Sequence, residues 1–299
     1  MTPPLTLIGM SGPISGLSAT SVPSYVTSDL VLNLDAGDSS SYGGSGTTWT
    51  DLSGPSNDAS ISNNTYNIGG SFDITSTSDN TLSGINLTGG SFSIEMWINR
   101  TGDSHDGTEG QIFTQDSGNG DGNGWQWKIT NSDAKVRFVY WTGSARGTAV
   151  TVVSDTALSN STWYQLVVTY DGTTIKMYQN NTEVHSSNPS SSLYGSTESI
   201  GIGMFNQTLS FDQRFNGKIA IIRAYDDKSL TAAEVEQNYN ATKGRYDLVL
   251  NLDAGDSSSY GGSGNTWNDL SPNGYNATRT SSSEIVYNSN GWFDWTDGP

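Results

Sequence analysis

The chain has 299 residues, with 13 basic against 30 acidic side chains and a net charge of −17. That balance excludes the counterion release that draws proteins onto nucleic acid, and it suits hard cations or neutral sugars as ligands. With no cysteine and only two histidines, His105 and His185, disulfide frameworks, thiolate metal centres and histidine-rich metal sites are excluded as well. No run approaches the ~20 apolar residues of a membrane-spanning helix, so no membrane partner is expected.

Residues 1–28 carry no charged side chain and include Pro3, Pro4, Pro13 and Pro23. The basic start and longer apolar run of a signal peptide are missing. The stretch reads as an arm that orders against a partner, or as a flexible tail. Asp29–Asp35 follows as DLVLNLD, where Leu30, Leu32 and Leu34 alternate with Val31 and Asn33, the pattern of a strand with one buried face. A Ser/Gly loop comes next.

The same text returns. DLVLNLDAGDSSSYGGSG occupies 29–46 and recurs unchanged at 247–264, an offset of 218 residues. The echo runs on through Thr48-Trp49 and Thr266-Trp267, then Asp51-Leu52-Ser53 and Asp269-Leu270-Ser271, and Phe72-Asp73-Ile74-Thr75 resembles Phe293-Asp294-Trp295-Thr296. A period this long marks a repeated domain, not a solenoid. The division is an arm at 1–28, a module at 29–245 and the start of a second, incomplete copy at 246–299. Opening strands alone cannot bury a sandwich core. Either the chain belongs to a longer tandem array, or the last segment pairs with its own first module or a neighbouring subunit by strand addition.

Between the repeats, Phe92–Tyr225 reads as a ladder of short strands rich in aromatic and β-branched residues, punctuated by Gly, Asn, Asp and Ser. In WYQLVVTYDG, Trp163, Gln165, Val167 and Thr169 face one way, and Tyr164, Leu166, Val168 and Tyr170 the other. Asp171-Gly172 marks a tight hairpin turn. In GKIAIIRAY, Ile219, Ile221 and Arg223 alternate with Ala220, Ile222 and Ala224. One helix follows. Thr231 and Glu234 form a capping box, Val235 and Tyr239 share a face, and Gly244 marks a stop. The expected fold is all-β: a jelly-roll sandwich closed by one short C-terminal helix.

SFSIEMWINR, WYQLVVTYDGTTIKMYQNN and GKIAIIRAYDDKSLTAAEVEQNYNATKGRY together resemble the laminin-G-like branch of the concanavalin A-like lectin/glucanase superfamily. The opening LVLNLDAG with its Ser/Gly loop and TWxDLS is similar, more loosely, to modules of marine tailed-phage virion proteins. The resemblance implies two curved sheets, carbohydrate or protein ligands, and often a calcium ion at the sandwich rim.

Glucanase relatives carry paired carboxylates on one strand, because retaining hydrolysis needs two carboxyl groups ~5 Å apart. The similar strand here, Ser93–Asn99, holds Glu95 alone, so no enzymatic activity is expected and Glu95 reads as a hydrogen-bonded structural residue. A trio of His105 with a serine and Asp103 or Asp106 is what a serine-rich loop produces by chance. For calcium, the candidates are Asp116, Asn119, Asp121 and Asn123, hard oxygens on a Gly-rich loop; Thr130 stands where an EF-hand glutamate would, which excludes that motif. Asp103, Asp106 and Glu109, and the Asp35/Asp38 and Asp253/Asp256 pairs, are weaker candidates. For sugar stacking, Trp125, Trp127 and Trp141, with Arg146 beyond them, are the candidate ligand-binding residues; Tyr140 and Trp141 point oppositely, so at most one joins the face of Trp125 and Trp127. Core packing is the alternative for each ring.

The functional expectation is a non-enzymatic phage virion protein, a tail fibre or capsid decoration. It would be fixed through residues 1–28 to other virion proteins, homo-oligomeric, and in contact with host glycans or neighbouring subunits. The alternative is a secreted, calcium-dependent bacterial lectin.

Overall fold

The computed structural model describes residues 24–85, 87, 90–105, 107–116, 124–142, 148–189, 193–205, 213–279 and 285–295. The first repeat opens with β1 (Leu30–Asp35), β2 (Thr48–Trp49), β3 (Ala59–Ser62), β4 (Thr65–Asn67), β5 (Ser71–Ile74) and β6 (Asp79–Leu82). The ladder follows as β7 (Phe92–Arg100), β8 (Glu109–Asp116), β9 (Gly124–Thr130), β10 (Lys135–Trp141), β11 (Ala149–Ala157), β12 (Thr162–Tyr170), β13 (Ile175–Gln179), β14 (Thr182–Ser187), β15 (Ile200–Ile202) and β16 (Gly217–Asp226). Helix α1 (Ala232–Tyr246) leads to β17 (Thr266–Trp267), β18 (Ala277–Thr278), β19 (Ile285–Asn288) and β20 (Trp292–Trp295).

Two antiparallel sheets form the sandwich. The first has the order β14-β13-β12-β7-β16-β5-β4 with β1 also paired to β16, and the second runs β11-β10-β9-β8-β15-β6-β3-β2. Alternation along each strand puts one set of side chains between the sheets. Ile94, Met96 and Ile98 of β7 and Leu166 and Val168 of β12 meet Trp127, Ile129, Val136 and Phe138 there in one continuous core. The ring of Phe92 reaches across to Phe138 at 5.9 Å between centroids.

The outer face of the first sheet is covered. Leu230 and Val235 pack with Val167, Tyr178 and Tyr225, while Tyr239 and Tyr246 lie on Trp97 beside Trp163, Ala220 and Ile221. The faces read from WYQLVVTYDG are those observed. In β16 the register shifts between Ile219 and Ile221. That bulge puts Ile219 in the inter-sheet core and Ile221 on the helix side, which breaks the simple alternation expected for GKIAIIRAY. The extra residue is what turns the strand's phase.

Thr231 caps α1, and its capping box with Glu234 is complete. The helix does not stop at Gly244. It runs to Tyr246, because Arg245 pairs with Asp35 at 2.5 Å and Tyr246 stacks on Trp97 at 4.2 Å. Tyr246, placed by the sequence at the head of the second copy, thus belongs to the helix of the first. At the other end, residues 1–23 of the expected arm lie outside the described residues. Ser24–Val26 dock in cis: Gln237 donates to the carbonyl of Ser24 at 2.8 Å, and the N–H of Val26 donates to Asn238 at 2.8 Å.

The repeat is structural as well as textual. In the first copy Phe72 lies 4.8 Å from Tyr42 and 4.9 Å from Trp49; in the second Phe293 lies 4.9 Å from Tyr260 and 4.8 Å from Trp267. Close backbone approach recurs too. A Cβ on Gly70 would meet the Cα of Gly37 at 2.4 Å, and one on Gly291 would meet Gly255 at 2.7 Å. LVLNLD is where the copies part. Leu32 and Leu34 are fully buried in β1, whereas Leu248, Val249 and Leu250 form no strand and are 45%, 66% and 47% exposed. β1 has β16 beside it; among the described residues its second copy has no such neighbour.

Candidate functional site

The face that would carry glucanase chemistry is closed. Glu95 on β7 points outward from the core, beneath α1. Its carboxylate accepts from Gln165 at 2.9 Å, Asn238 at 2.6 Å and Arg223 at 3.2 Å. Arg223 also donates to Asn33 at 3.2 Å and lies under the ring of Tyr25 at 4.3 Å. Burial, the largest single effect, opposes the arginine's charge, but Glu95 together with Tyr225, Asp35 and Tyr246 outweighs it, and the pKa of Arg223 is raised. Burial, and then the charge of Glu95, raise the phenol of Tyr225. Glu95 is therefore the hydrogen-bonded structural residue the sequence suggested, fully buried between β7 and α1. His105 points its Nε2 at the carbonyl of Ile74, 2.9 Å away, and Asp103 pairs with Arg100 at 2.6 Å. The serine–histidine–acid trio is not assembled from these two, and Asp106 lies outside the described residues.

The tryptophans of the second sheet divide. Trp125 and Trp127 are fully buried and face the first sheet. In the β9–β10 ladder they oppose Tyr140 and Phe138; Trp125 packs on Phe113 at 5.4 Å and Phe138 at 5.9 Å. They are core residues and not a sugar platform, because strand alternation turns this whole set of rings inward. Trp141, one residue past Tyr140, is half-buried. Arg146 lies outside the described residues.

The outward face of the same sheet is polar. Gln126 donates to Asp116 at 2.6 Å, Lys128 to Glu109 at 2.6 Å and to Gln126 at 2.9 Å, and Thr114 to Gln111 at 2.8 Å. Of the expected calcium ligands, Asp116 thus accepts a hydrogen bond from Gln126, while Asn119, Asp121 and Asn123 lie outside the described residues. Among the described residues no group of three acidic or histidine side chains is placed to hold a metal ion. The weaker candidates are engaged elsewhere: Glu109 with Lys128 and Asp35 with Arg245, while Asp38, Asp253 and Asp256 accept from backbone N–H groups of their own loops.

The residues that do converge on open space were not among the sequence candidates. A cleft of about 580 Å³ lies where the two repeats meet. The first repeat supplies Tyr42, Gly43, Gly44 and Thr65 to Ile68; the second supplies Ser258, Asn268, Gly274 and Asn276. No lining residue is charged. The repeats are locked around it. Trp163 donates its indole N–H to Asn273 at 3.1 Å, and Ser71 its hydroxyl to the carbonyl of Pro272 at 3.0 Å. Gly274 has φ +70 and comes so close to Asn67 that a Cβ would meet its amide oxygen at 2.5 Å. Asn268 spends its amide nitrogen on the carbonyl of Ser258, and Asn276 its amide oxygen on the N–H of Asp269. Among the described residues, the oxygen of Asn268 and the nitrogen of Asn276 make no hydrogen bond, which leaves one acceptor and one donor among the lining residues. Tyr66 adds a half-buried ring to the lining and Ile68 an exposed apolar side chain. Neutral hydroxyl-bearing ligands match such a lining. The repeat itself gave no direct signal for these amides, since the first copy has Thr50 and Asp58 where the second has Asn268 and Asn276; their meeting with Tyr66 depends on how the copies pack.

Two facing antiparallel sheets, an apolar layer between them and a helix over one outer face define a lectin-type β-sandwich. The family model for laminin G domains (Laminin_G_3), described as Concanavalin A-like lectin/glucanases superfamily, matches residues 74–236, more than half of the chain, and the chain belongs to that family. Among solved structures, the binding domain of botulinum neurotoxin serotype D superposes with a TM-score of 0.60 at 16% identity, over 77% of this chain and 57% of that one. The binding domain of Paraclostridial Mosquitocidal Protein 1 gives 0.53 at 14% identity over 76% and 54%. The Trypanosoma rangeli sialidase in complex with sialic acid gives 0.53 at 13% identity over 74% and 34%. The chain therefore spans less than two thirds of each of these proteins, and at such identities the likeness is one of fold. No curated protein matches the chain by sequence.

Proposed function

We propose that the chain is a non-enzymatic adhesion module that binds neutral glycans in the cleft between its repeats. The observation that carries this reading is the uncharged lining, which combines an aromatic ring and an apolar side chain with two amides that retain a free acceptor and a free donor. Sugar rings present apolar faces to aromatics and hydroxyls to amides. A sialylated ligand would bring a carboxylate into a site without a cation, on a chain of net charge −17. Neutral oligosaccharides are thus favoured over the ligand of the sialidase complex. The engagement of the buried Glu95 by Arg223, Gln165 and Asn238 supports the non-enzymatic part of this reading.

A glycan array probed with the intact chain tests this. Neutral glycans are expected to bind and Asn268→Ala/Asn276→Ala to abolish the signal. Binding only to sialylated glycans, or an unaltered signal from the double variant, overturns it. The array run with EDTA decides whether calcium, expected at Asp116, Asn119, Asp121 and Asn123, takes part.

The setting we propose is the surface of a tailed-phage particle, homo-oligomeric and fixed through the part of the uncharged arm 1–28 that precedes Ser24–Val26, which dock in cis. Repeated copies would raise avidity for a weakly bound sugar. Recovery of the chain in stoichiometric amount with purified particles is expected. Recovery only as free protein in the medium would favour a secreted bacterial lectin instead.

A further inference from the structure

The second copy of LVLNLD is held along one edge as the first is. In the first repeat the N–H of Asn33 donates to Asp51 at 2.8 Å, and Leu52 donates to the carbonyl of Asn33 at 2.9 Å. In the second, the N–H of Asn251 donates to Asp269 at 2.8 Å, and Leu270 to the carbonyl of Asn251 at 2.8 Å. The other edge differs. In the first repeat Leu32, Asn33, Leu34 and Asp35 lie antiparallel to Ala224, Arg223, Ile222 and Ile221 of β16. In the second, among the described residues, Leu250 and Leu252 make no backbone hydrogen bond, and Leu248, Val249 and Leu250 stay exposed. Behind this edge is an apolar hollow of about 230 Å³ lined by Leu252, Trp267, Ile285 and Phe293. Their counterparts around Leu34, Trp49 and Phe72 lie in the sandwich core.

We infer that Leu248–Asp253 is an acceptor for an added antiparallel strand with the residue pattern of Gly217–Asp226. The acceptor sequence is identical to one that pairs with this strand in the same molecule, its far edge is already fixed in the same manner, and the apolar side chains such a strand would cover are uncovered. Unpaired edges of this kind are templates for strand addition. The register carries over by the offset of the repeat: Leu250 opposite the position of Ala224, Asn251 opposite Arg223, and Leu252 opposite Ile222. Exchange of the second copy into the first module of another molecule is not favoured. It would release an identical β1 and uncover what it had covered.

The test is a blocked synthetic peptide of residues 217–226 titrated into the full chain, with backbone hydrogen exchange followed by residue. Saturable binding is expected, with the amides of Leu250 and Leu252 slowed at least about tenfold while those of Leu32 and Leu34 are unchanged. Leu250→Asp, at an exposed site outside the first module's core, is expected to weaken binding about tenfold or more. A peptide carrying Asp in place of its central Ile222 is expected not to bind. No protection at Leu250 and Leu252 under saturating peptide overturns the inference. So does a dimer formed through Leu248–Leu250 that the peptide does not displace, because the occupant would then be a second copy of this edge.

Discussion

Nη1 of Arg223 lies 3.2 Å from Oε1 of Glu95, with side chains 1% and 0% exposed. The pair joins β16 to β7, the two central strands of the first sheet, beneath helix α1. Desolvating two charges offsets most of their attraction, but removing one partner strands the other in the interior. Glu95→Ala is expected to destabilise the chain by about 3–5 kcal/mol in urea unfolding. Replacing both residues, as Glu95→Gln with Arg223→Met, is expected to recover much of that loss, and glycan binding by the folded double variant is expected to be unchanged.

The tryptophans give a second expectation. Trp125→Ala and Trp127→Ala are each expected to cost about 3–5 kcal/mol as large-to-small core changes. Trp127→Phe is expected to cost less, because the indole N–H of Trp127 is buried without a partner and its removal leaves no polar group unpaired. Trp141→Ala, at the half-buried end of β10, is expected to change stability by about 1 kcal/mol or less. Thermal unfolding of the three sites separates core from surface.

Acid stability has one identifiable contributor in the turn that leads into β10. The bidentate hydrogen bonds from Arg137, at 2.9 and 2.7 Å, hold the carboxyl of Asp133 down at about 2. A carboxyl depressed in the folded state adds stability above its unfolded pKa and loses it as the pH falls through the folded value. The contribution is therefore present above about pH 4 and gone by about pH 2. Asp133→Asn is expected to differ from the parent by no more than about 1 kcal/mol at neutral pH, and the two unfolding curves are expected to converge in that acid window.

Thr231→Ala removes the N-cap of α1 and is expected to cost about 1 kcal/mol. Since α1 roofs Glu95 and Trp97, early loss of its amide protection, ahead of β7 and β12, is the accompanying readout by hydrogen exchange.

The strand ladder, the faces of β12 and the capped helix could be read directly, because period-two alternation, Asp-Gly turns and the Thr231–Glu234 spacing are local signals. What escaped was set by tertiary contact. Gly244 stays in the helix because Arg245 and Tyr246 have partners on Asp35 and Trp97. Ile219 and Ile221 separate because of a bulge that the sequence does not announce. Trp125 and Trp127 were placed together on one face; only the second sheet's packing decides that this face looks inward. The cleft needed Tyr66 and Asn276, 210 residues apart in the chain, to be brought together by the contacts of Trp163 with Asn273 and of Ser71 with Pro272.

The duplicated LVLNLD also makes the molecule its own reference state. Residues 29–46 and 247–264 are identical, so a difference in spectroscopic shift, solvent reactivity or mobility between Leu32 and Leu250 reports what surrounds the run, the neighbouring strand and the core it closes, and not the residues of the run. Host–guest experiments seek that separation by transplanting sequences between proteins; here both contexts sit on one polypeptide, at one temperature and in one solution.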